Sequence, residues 1–382
     1  MQSVQVRFLA AAILLMCGVV VSPSIADSQT SGHGLPEVDR IVMQAIEQQK
    51  MPGCVVMIGT SERVLHQAAY GHRQLLPTPE PAELSTLYDL ASLTKPVATA
   101  TCILLLSERG QLNLEAPVCH SLPEFAENGK DRVTIHHLLT HTSGLIADNA
   151  LRDYQSGDDA TWKNLCRLKL TAPPGEKFIY SDVGFIVLGK LVEAVSGQPL
   201  NEFANNNLFQ PTGMTETGYV PKRFPATRFA LTEQRDGMWT PGIVHDPRAF
   251  AMGGIAGHAG LFATASDLSR YARVILGRGE IDGQRVLARE TVDAMLVSRP
   301  VPGGGIRTWG WDRQTGFSSN RGDGMSAQAI GHGGFTGTGL WIDPDRDLYV
   351  IFLSNRVHPN GKGSVNRLIG EIGGIAVKSL SN

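Results

Sequence analysis

The sequence contains no C-x-x-C pair, no P-loop and no G-x-S-x-G pentapeptide. The first absence removes a local zinc or thiol-redox signature. The second removes the Gly-rich phosphate cradle, and the third the serine elbow of that motif. Charge is also modest: Asp, Glu, Lys and Arg make up 18% of 382 residues, with a formal net charge of −2. No basic surplus marks a nucleic-acid partner, and no acidic tract marks a disordered chain. Internal repeats at solenoid periods and low-complexity tracts are missing as well. What remains is an ordinary globular composition, 42% hydrophobic, long enough for one large domain or two lobes.

The one long apolar run is Phe8–Val21, preceded by Arg7 and followed by Ser24-Ile25-Ala26. That pattern predicts a cleaved secretory signal over residues 1–26, since the run is short for a bilayer-spanning helix. A lipidated Cys17 is the alternative, disfavoured by the bulky Met16 before it. No transmembrane anchor is expected after cleavage, and the expected location is secreted or periplasmic. Export permits disulfides, but Cys54, Cys102, Cys119 and Cys166 are irregularly spaced, so no pairing is legible. Cys102 lies in the apolar run Ala100–Leu106 and reads as a buried free thiol.

Hydrophobic periodicity predicts a helix over Leu35–Lys50 and two strands over Gly53–Gly59 and Arg63–Tyr70, after a polar start at 27–34 read as disordered. The middle reads as helices: Thr94–Arg109 stopping at Gly110, Thr134–Thr140, Trp162–Leu168, Val183–Ser196 and Leu200–Leu208. Leu268–Leu276 and Arg289–Val297 add two more. Strands return at Trp309–Arg313 and in a hairpin of Thr338–Asp343 and Leu348–Ser354, before a terminal helix from Ser364 to Val377. Strands at both ends with helices between predict an α/β fold. Its central antiparallel sheet is built from both chain ends and flanked by helices, with a mostly helical lobe inserted. The expected division is a sheet region of 27–92 and 245–382 and a helical region of 93–244, together one catalytic domain with a cleft between its parts.

Three short stretches could carry chemistry. In Ser92-Leu-Thr-Lys95, at the start of a predicted helix, residues i and i+3 share a face, so Lys95 points toward Ser92. A serine hydroxyl becomes a nucleophile when a base takes its proton, and a lysine serves as one only when burial or nearby positive charge neutralises it. Alone, the pattern is commoner as a helix cap, which Pro96 also fits. In Tyr180-Ser181-Asp182, a tyrosine near a lysine ammonium gives up its proton more readily, and Asp182 could orient Lys95 by accepting its hydrogen bond. In Gly331-His332-Gly333-Gly334-Phe335, glycines let a substrate approach strand backbone. There the N–H of Phe335 could pair with that of Ser92 as an oxyanion hole.

These three motifs in this order resemble the serine penicillin-recognising enzymes and class C β-lactamase-like hydrolases, a superfamily that includes DD-peptidases and family VIII carboxylesterases. The resemblance spans nearly all of the chain beyond the predicted signal. His137–Gly144, Pro174-Gly-Glu, Pro211-Thr-Gly-Met214 and Gly260–Asp267 support it. It implies an acyl-enzyme on Ser92, an acid/base pair of Lys95 and Tyr180, and a substrate-binding set of Phe335, Asp182, His332, Gly333 and Gly334. No cofactor and no metal are expected. The implied substrate is a small molecule, ester or peptide, including cell-wall peptide. A DD-peptidase-like hydrolase of peptide or amide bonds ranks first, a carboxylesterase second and a β-lactamase third.

Two departures from the superfamily pattern drive that order. Asp182 stands where Asn is usual, and His332 stands where Lys is usual. A histidine is mostly neutral at pH 7, with a reference pKa of about 6.5, so it offers a substrate carboxylate no permanent charge. Asp182 would raise that value if adjacent. Ser181-Asp182-Val183 offers a second parsing of the middle motif, without its Asn. A reading of another class is a non-catalytic envelope protein that binds peptidoglycan. His137 and His141 have zinc-like i, i+4 spacing but lack the Glu of H-E-x-x-H. His258 and His245-Asp246 lie in loops that could line the cleft.

Overall fold

The computed structural model describes residues 29–30 and 34–380; the predicted signal segment lies outside them. Among the described residues nine strands run in a row: β1 (Gln29–Thr30), β2 (Gly53–Gly59), β3 (Val64–Gln74), β4 (Arg299–Val301), β5 (Gly305–Arg307), β6 (Asp312–Gln314), β7 (Ile330–Gly334), β8 (Thr338–Asp343) and β9 (Leu348–Ser354). They lie in the order β1-β3-β2-β9-β8-β7-β6-β5-β4, every pair antiparallel, and Glu80–Pro81 adds a tenth strand beside β3. The join between the two chain ends is β9 against β2, with Ile351 opposite Met57. The expected sheet from both termini is therefore present.

All seven residues of β2 are buried, because the sheet is covered on both faces and period-2 alternation splits their side chains between two cores. Cys54, Val56 and Ile58 join Trp341, Val350 and Phe352 beneath α1 (Pro36–Glu47) and a C-terminal helix (Asn366–Ser379). Val55 and Met57 join Leu340, Ile342 and Ile351 in the larger core. That core continues into α2 (Thr101–Glu108), α3 (Asp182–Ser196) and α4 (Ala265–Leu276). Cys102 is fully buried, and all four described cysteines are free thiols.

Three expectations change. The segment 94–109 is not one α-helix: Ala91–Leu93 is a 3₁₀ turn and Lys95–Ala100 is π-helical before α2 begins. Pro96 has no N–H to place in an α-helical ladder, and its carbonyl accepts from the Thr101 hydroxyl five residues on at 3.0 Å. Trp309–Arg313 is not a strand from its start. Gly310 N–H donates to Leu139 O and Thr308 N–H to Trp311 O, so this backbone makes a turn and β6 begins only at Asp312. Residues 29 and 30, expected to be disordered, pair with Ala69 and Ala68 along β3.

The sheet delivers β7 to the segment that carries Ser92. The Thr338 hydroxyl donates to Leu90 O at 3.0 Å and the Thr336 hydroxyl to Asp89 O at 2.7 Å. Gly334 has no room for a side chain: a Cβ would lie 2.1 Å from Thr338 Oγ1 and 2.4 Å from Leu90 O. Gly334→Ala is expected to lower unfolding free energy by about 1–3 kcal/mol, the usual cost of overpacking, measured by urea denaturation.

Candidate active site

The residue before Ser92 is strained. Ala91 has φ +46°, which an L-residue with a Cβ adopts at a cost. Asp89 holds it there, one carboxylate oxygen accepting from Ala91 N–H at 2.9 Å and the other from His245 N–H at 2.6 Å. The turn Ala91–Leu93 then presents Ser92 beside the first residues of the π-helical segment. Asp89 and Ala91 were not singled out from the sequence. An aspartate two residues before a turn is the only signal that pointed to them.

Lys95 is fully buried, and its Nζ lies 2.9 Å from Ser92 Oγ, 2.5 Å from Asp182 Oδ1 and 3.1 Å from His258 O. Burial disfavours its charged form, but Asp182 and Tyr180 outweigh that and hold the ammonium well above the ordinary lysine range. Asp182 responds in the opposite direction. Burial raises its pKa, Lys95 and His258 lower it, and the carboxyl ends below its usual range. Asp182 is the first residue of α3, where the helix N-terminus also favours a negative charge.

Tyr180 packs over Lys95, with Nζ 5.0 Å from the ring centroid. Its ring is wedged between His141 at 4.4 Å and the half-exposed Phe317 at 4.7 Å. His141 Nδ1 accepts from Ser181 N–H at 3.0 Å, so this histidine fixes the tyrosine-bearing backbone. His137 Nδ1 accepts from Thr134 N–H in a capping box. Both nitrogens that suggested zinc spacing therefore serve backbone. The second parsing of the middle motif also fails on geometry. Ser181 is 1% exposed, donates to Ile146 O at 2.6 Å and caps α3 through Gly184 N–H.

His332 completes the cluster, its Nε2 lying 3.5 Å from the Tyr180 hydroxyl. Nδ1–H donates to Gly333 O at 2.8 Å, which leaves Nε2 as an acceptor. The sequence suggested that Asp182 would raise the His332 pKa. Burial, Arg307 and Lys95 instead push it down to about 3, with Asp182 the weakest of the opposing influences. Arg307 is a fully buried guanidinium, 3.5 Å from Asp312 and beneath the Phe178 ring. Its place beside the site was not legible from spacing.

Ser92 opens onto two hollows that share Tyr180 and Phe335 in their walls. One, about 470 Å³, is lined by Tyr180, His332, Gly333, Gly334, Phe335 and Arg356. The other, about 500 Å³, is lined by Tyr180, Asp182, Glu233, Asp246, His258 and Phe335. All eight predicted site residues are thus in one neighbourhood. Phe335 is 61% exposed, its ring stacked on His245 at 5.6 Å. Asp182, Asp246 and His258 bring donor atoms within 4.8 Å of one another, as a metal would require. Those donors are already engaged: Asp182 by the Lys95 ammonium, Asp246 by backbone N–H groups and by His258.

The geometry joins a buried lysine to a serine beside the end of β7. Residues 38–373 match the model of the Beta-lactamase family. The chain belongs to the beta-lactamase family. It is 32% identical to the N-acetylmuramyl-L-alanine amidase of Bacillus subtilis strain 168, over 89% of this chain and 86% of that protein. It is 31% identical to a protein of Escherichia coli K12 provisionally named a D-alanyl-D-alanine carboxypeptidase, over 85% of this chain and 82% of that one. The octameric penicillin-binding protein homologue from Pyrococcus abyssi shares the fold. Its TM-score is 0.71 at 24% identity, covering 91% of this chain and 76% of that one. The protein is accordingly a hydrolase of the β-lactamase and penicillin-binding-protein superfamily.

In this family member the third-motif histidine carries no charge at working pH. Its folded value near 3 lies below the unfolded value of about 6.5. As pH falls between those limits the unfolded chain binds a proton that the native site refuses, so stability declines. NMR of the His332 imidazole is expected to show no titration between about pH 5 and 8; a midpoint near 6.5 would contradict the assignment. His332→Gln is expected to lose less melting temperature than wild type on acidification over the same range.

Proposed function

We propose that the protein hydrolyses peptide or amide bonds through an acyl-enzyme on Ser92. The observation that carries this reading is the 2.9 Å contact between Ser92 Oγ and a Lys95 ammonium that is itself locked by Asp182. A charged lysine donates to Oγ rather than accepting from it. Tyr180 therefore relays the serine proton: its phenol oxygen takes that proton as its own moves onto His332 Nε2, while Lys95 supplies positive potential to the serine oxygen. Ser92 Oγ adds to the substrate carbonyl, whose oxygen is received by the N–H groups of Ser92 and Phe335. The proton then passes to the leaving nitrogen, the C–N bond breaks, and water repeats the sequence to release the acyl group. His332 Nε2 accepts from the Tyr180 hydroxyl in the resting site and sets its direction.

The neutral His332 guides the choice of substrate. It gives a terminal carboxylate no fixed charge, which disfavours β-lactams and places amide cleavage in a longer peptide ahead of them. The names of the Bacillus and Escherichia relatives, an amidase and a carboxypeptidase, agree with a cell-wall peptide. Such a substrate fits export to the envelope by the signal predicted over residues 1–26. Ester hydrolysis is the second reading, because the same acyl-enzyme forms from an ester with a better leaving group.

Ser92→Ala is expected to lower kcat at least about 10³-fold against a panel of muropeptide amides, p-nitrophenyl esters and a chromogenic cephalosporin. A fluorophosphonate is expected to mark wild-type Ser92 in a peptide map. Hydrolysis undiminished in Ser92→Ala would overturn the acyl-enzyme, and cephalosporin turnover above the amides would overturn the substrate ranking.

A further inference from the structure

The Lys95 ammonium has three hydrogens, and its Nζ meets oxygens of Ser92, Asp182 and His258. Two acceptors are side chains, Ser92 and Asp182. The third is the backbone carbonyl of His258, which any residue would supply. Its position depends on what holds residue 258. The His258 ring is 1% exposed, and its Nε2 donates to Asp246 Oδ1 at 2.9 Å. Asp246 is fixed in turn, the same oxygen accepting from Arg248 N–H at 3.0 Å and Ala249 N–H at 2.8 Å as the cap of the short helix Pro247–Ala251. Burial works against its charge, but His258 and the capping N–H groups hold its carboxyl well below the usual carboxylate range.

The same segment reaches the nucleophile by a second route. His245 N–H donates to Asp89, which holds the strained Ala91 before Ser92. On the other side of His258, Gly257 O accepts from the Thr99 hydroxyl at 2.7 Å. A Cβ on Gly257 would fall 1.9 Å from Phe185 O, so that peptide has no slack toward α3. Residues 245–246 therefore grip the site at both reacting ends, the serine turn through Asp89 and the lysine through His258.

We propose that Asp246 and His258 form a positioning pair that fixes the third acceptor of Lys95 and so sets the aim of Lys95 at Ser92. The proposal rests on the acyl-enzyme reading above. The pair touches no reacting atom. Its effect is geometric: with residue 258 released, the ammonium keeps Asp182 but loses the anchor that balances it, and swings away from Oγ.

The test compares His258→Leu, His258→Gln and Asp246→Ser with wild type. The readouts are the second-order rate of fluorophosphonate labelling, its final stoichiometry, and kcat and KM on one hydrolysed substrate. His258→Leu is expected to slow labelling and kcat about 10–100-fold with KM within about twofold, the scale set by a misplacement of about 1 Å. Gln carries an amide N–H that reaches Asp246, and His258→Gln is expected to restore the rate to within about threefold. Asp246→Ser keeps a hydroxyl cap on Pro247–Ala251 but is too short for the imidazole. It is expected to fold, label fully and show the same slowing as His258→Leu. Asp246→Ser labelling at the wild-type rate would overturn the proposal, as would a loss in His258→Gln as deep as in His258→Leu. Ser92→Ala run in parallel separates the two ideas: hydrolysis or labelling that survives it removes the acyl-enzyme itself, whatever His258 does.

Discussion

A charged ammonium with no solvent contact is the constraint around which this molecule is arranged. Taking Lys95 out of water costs several kcal/mol, and a buried ion is tolerated only when opposite charge and hydrogen bonds replace its hydration. Asp182 supplies the charge, while Ser92 and His258 supply the remaining acceptors. Each comes from a different part of the chain: the turn before α2, the start of α3, and the loop before α4. Meeting the needs of one lysine therefore joins three regions that are far apart in sequence. It also orients the nucleophile, because Ser92 is one of the acceptors the ammonium requires.

The sheet has a complementary task. Because β9 pairs with β2, the C-terminal hairpin and the N-terminal strands form one surface, covered on both faces. Hydroxyls of Thr336 and Thr338 then tie the end of β7 to the carbonyls of Asp89 and Leu90. Gly334 is brought beside Ser92 by backbone pairing in the sheet, and Phe335 by the tight turn that follows it. Preorganised N–H donors on such an edge need no reorganisation as charge develops on a carbonyl oxygen, which is where most acyl-transfer catalysis originates.

Much of this was legible in the sequence, for definite reasons. The β8–β9 hairpin, α3 and the two-ended sheet follow from long hydrophobic periods, and their ends fall where Pro344-Asp-Arg-Asp347 and Gly197 interrupt them. Ser92, Lys95, Tyr180 and His332 were visible because side-chain chemistry at close spacing leaves a pattern. The contributions of His258 and Ala91 were not, since one acts through a carbonyl and the other through a backbone angle, and neither is encoded in a residue type. The winding of Lys95–Ala100 was hidden likewise: a proline near a helix start usually fits an ordinary first turn. The direction of the His332 shift depended first on burial and then on Arg307, which the pairing of β5, β6 and β7 brings close.

Charge on Lys95 is the claim on which the chemistry turns, since it decides whether the lysine donates to Ser92 or takes its proton. The most direct measurement is the ¹³Cε NMR shift of Lys95 followed against pH in the intact protein, with the signal identified by its loss in Lys95→Met. A Lys95 held as the ammonium by Asp182 is expected to show a shift that stays constant through about pH 10, past the onset of ordinary lysine titration. A shift that titrates between about pH 6 and 8 would show a neutral amine at working pH, and would make Lys95 rather than Tyr180 the base for Ser92.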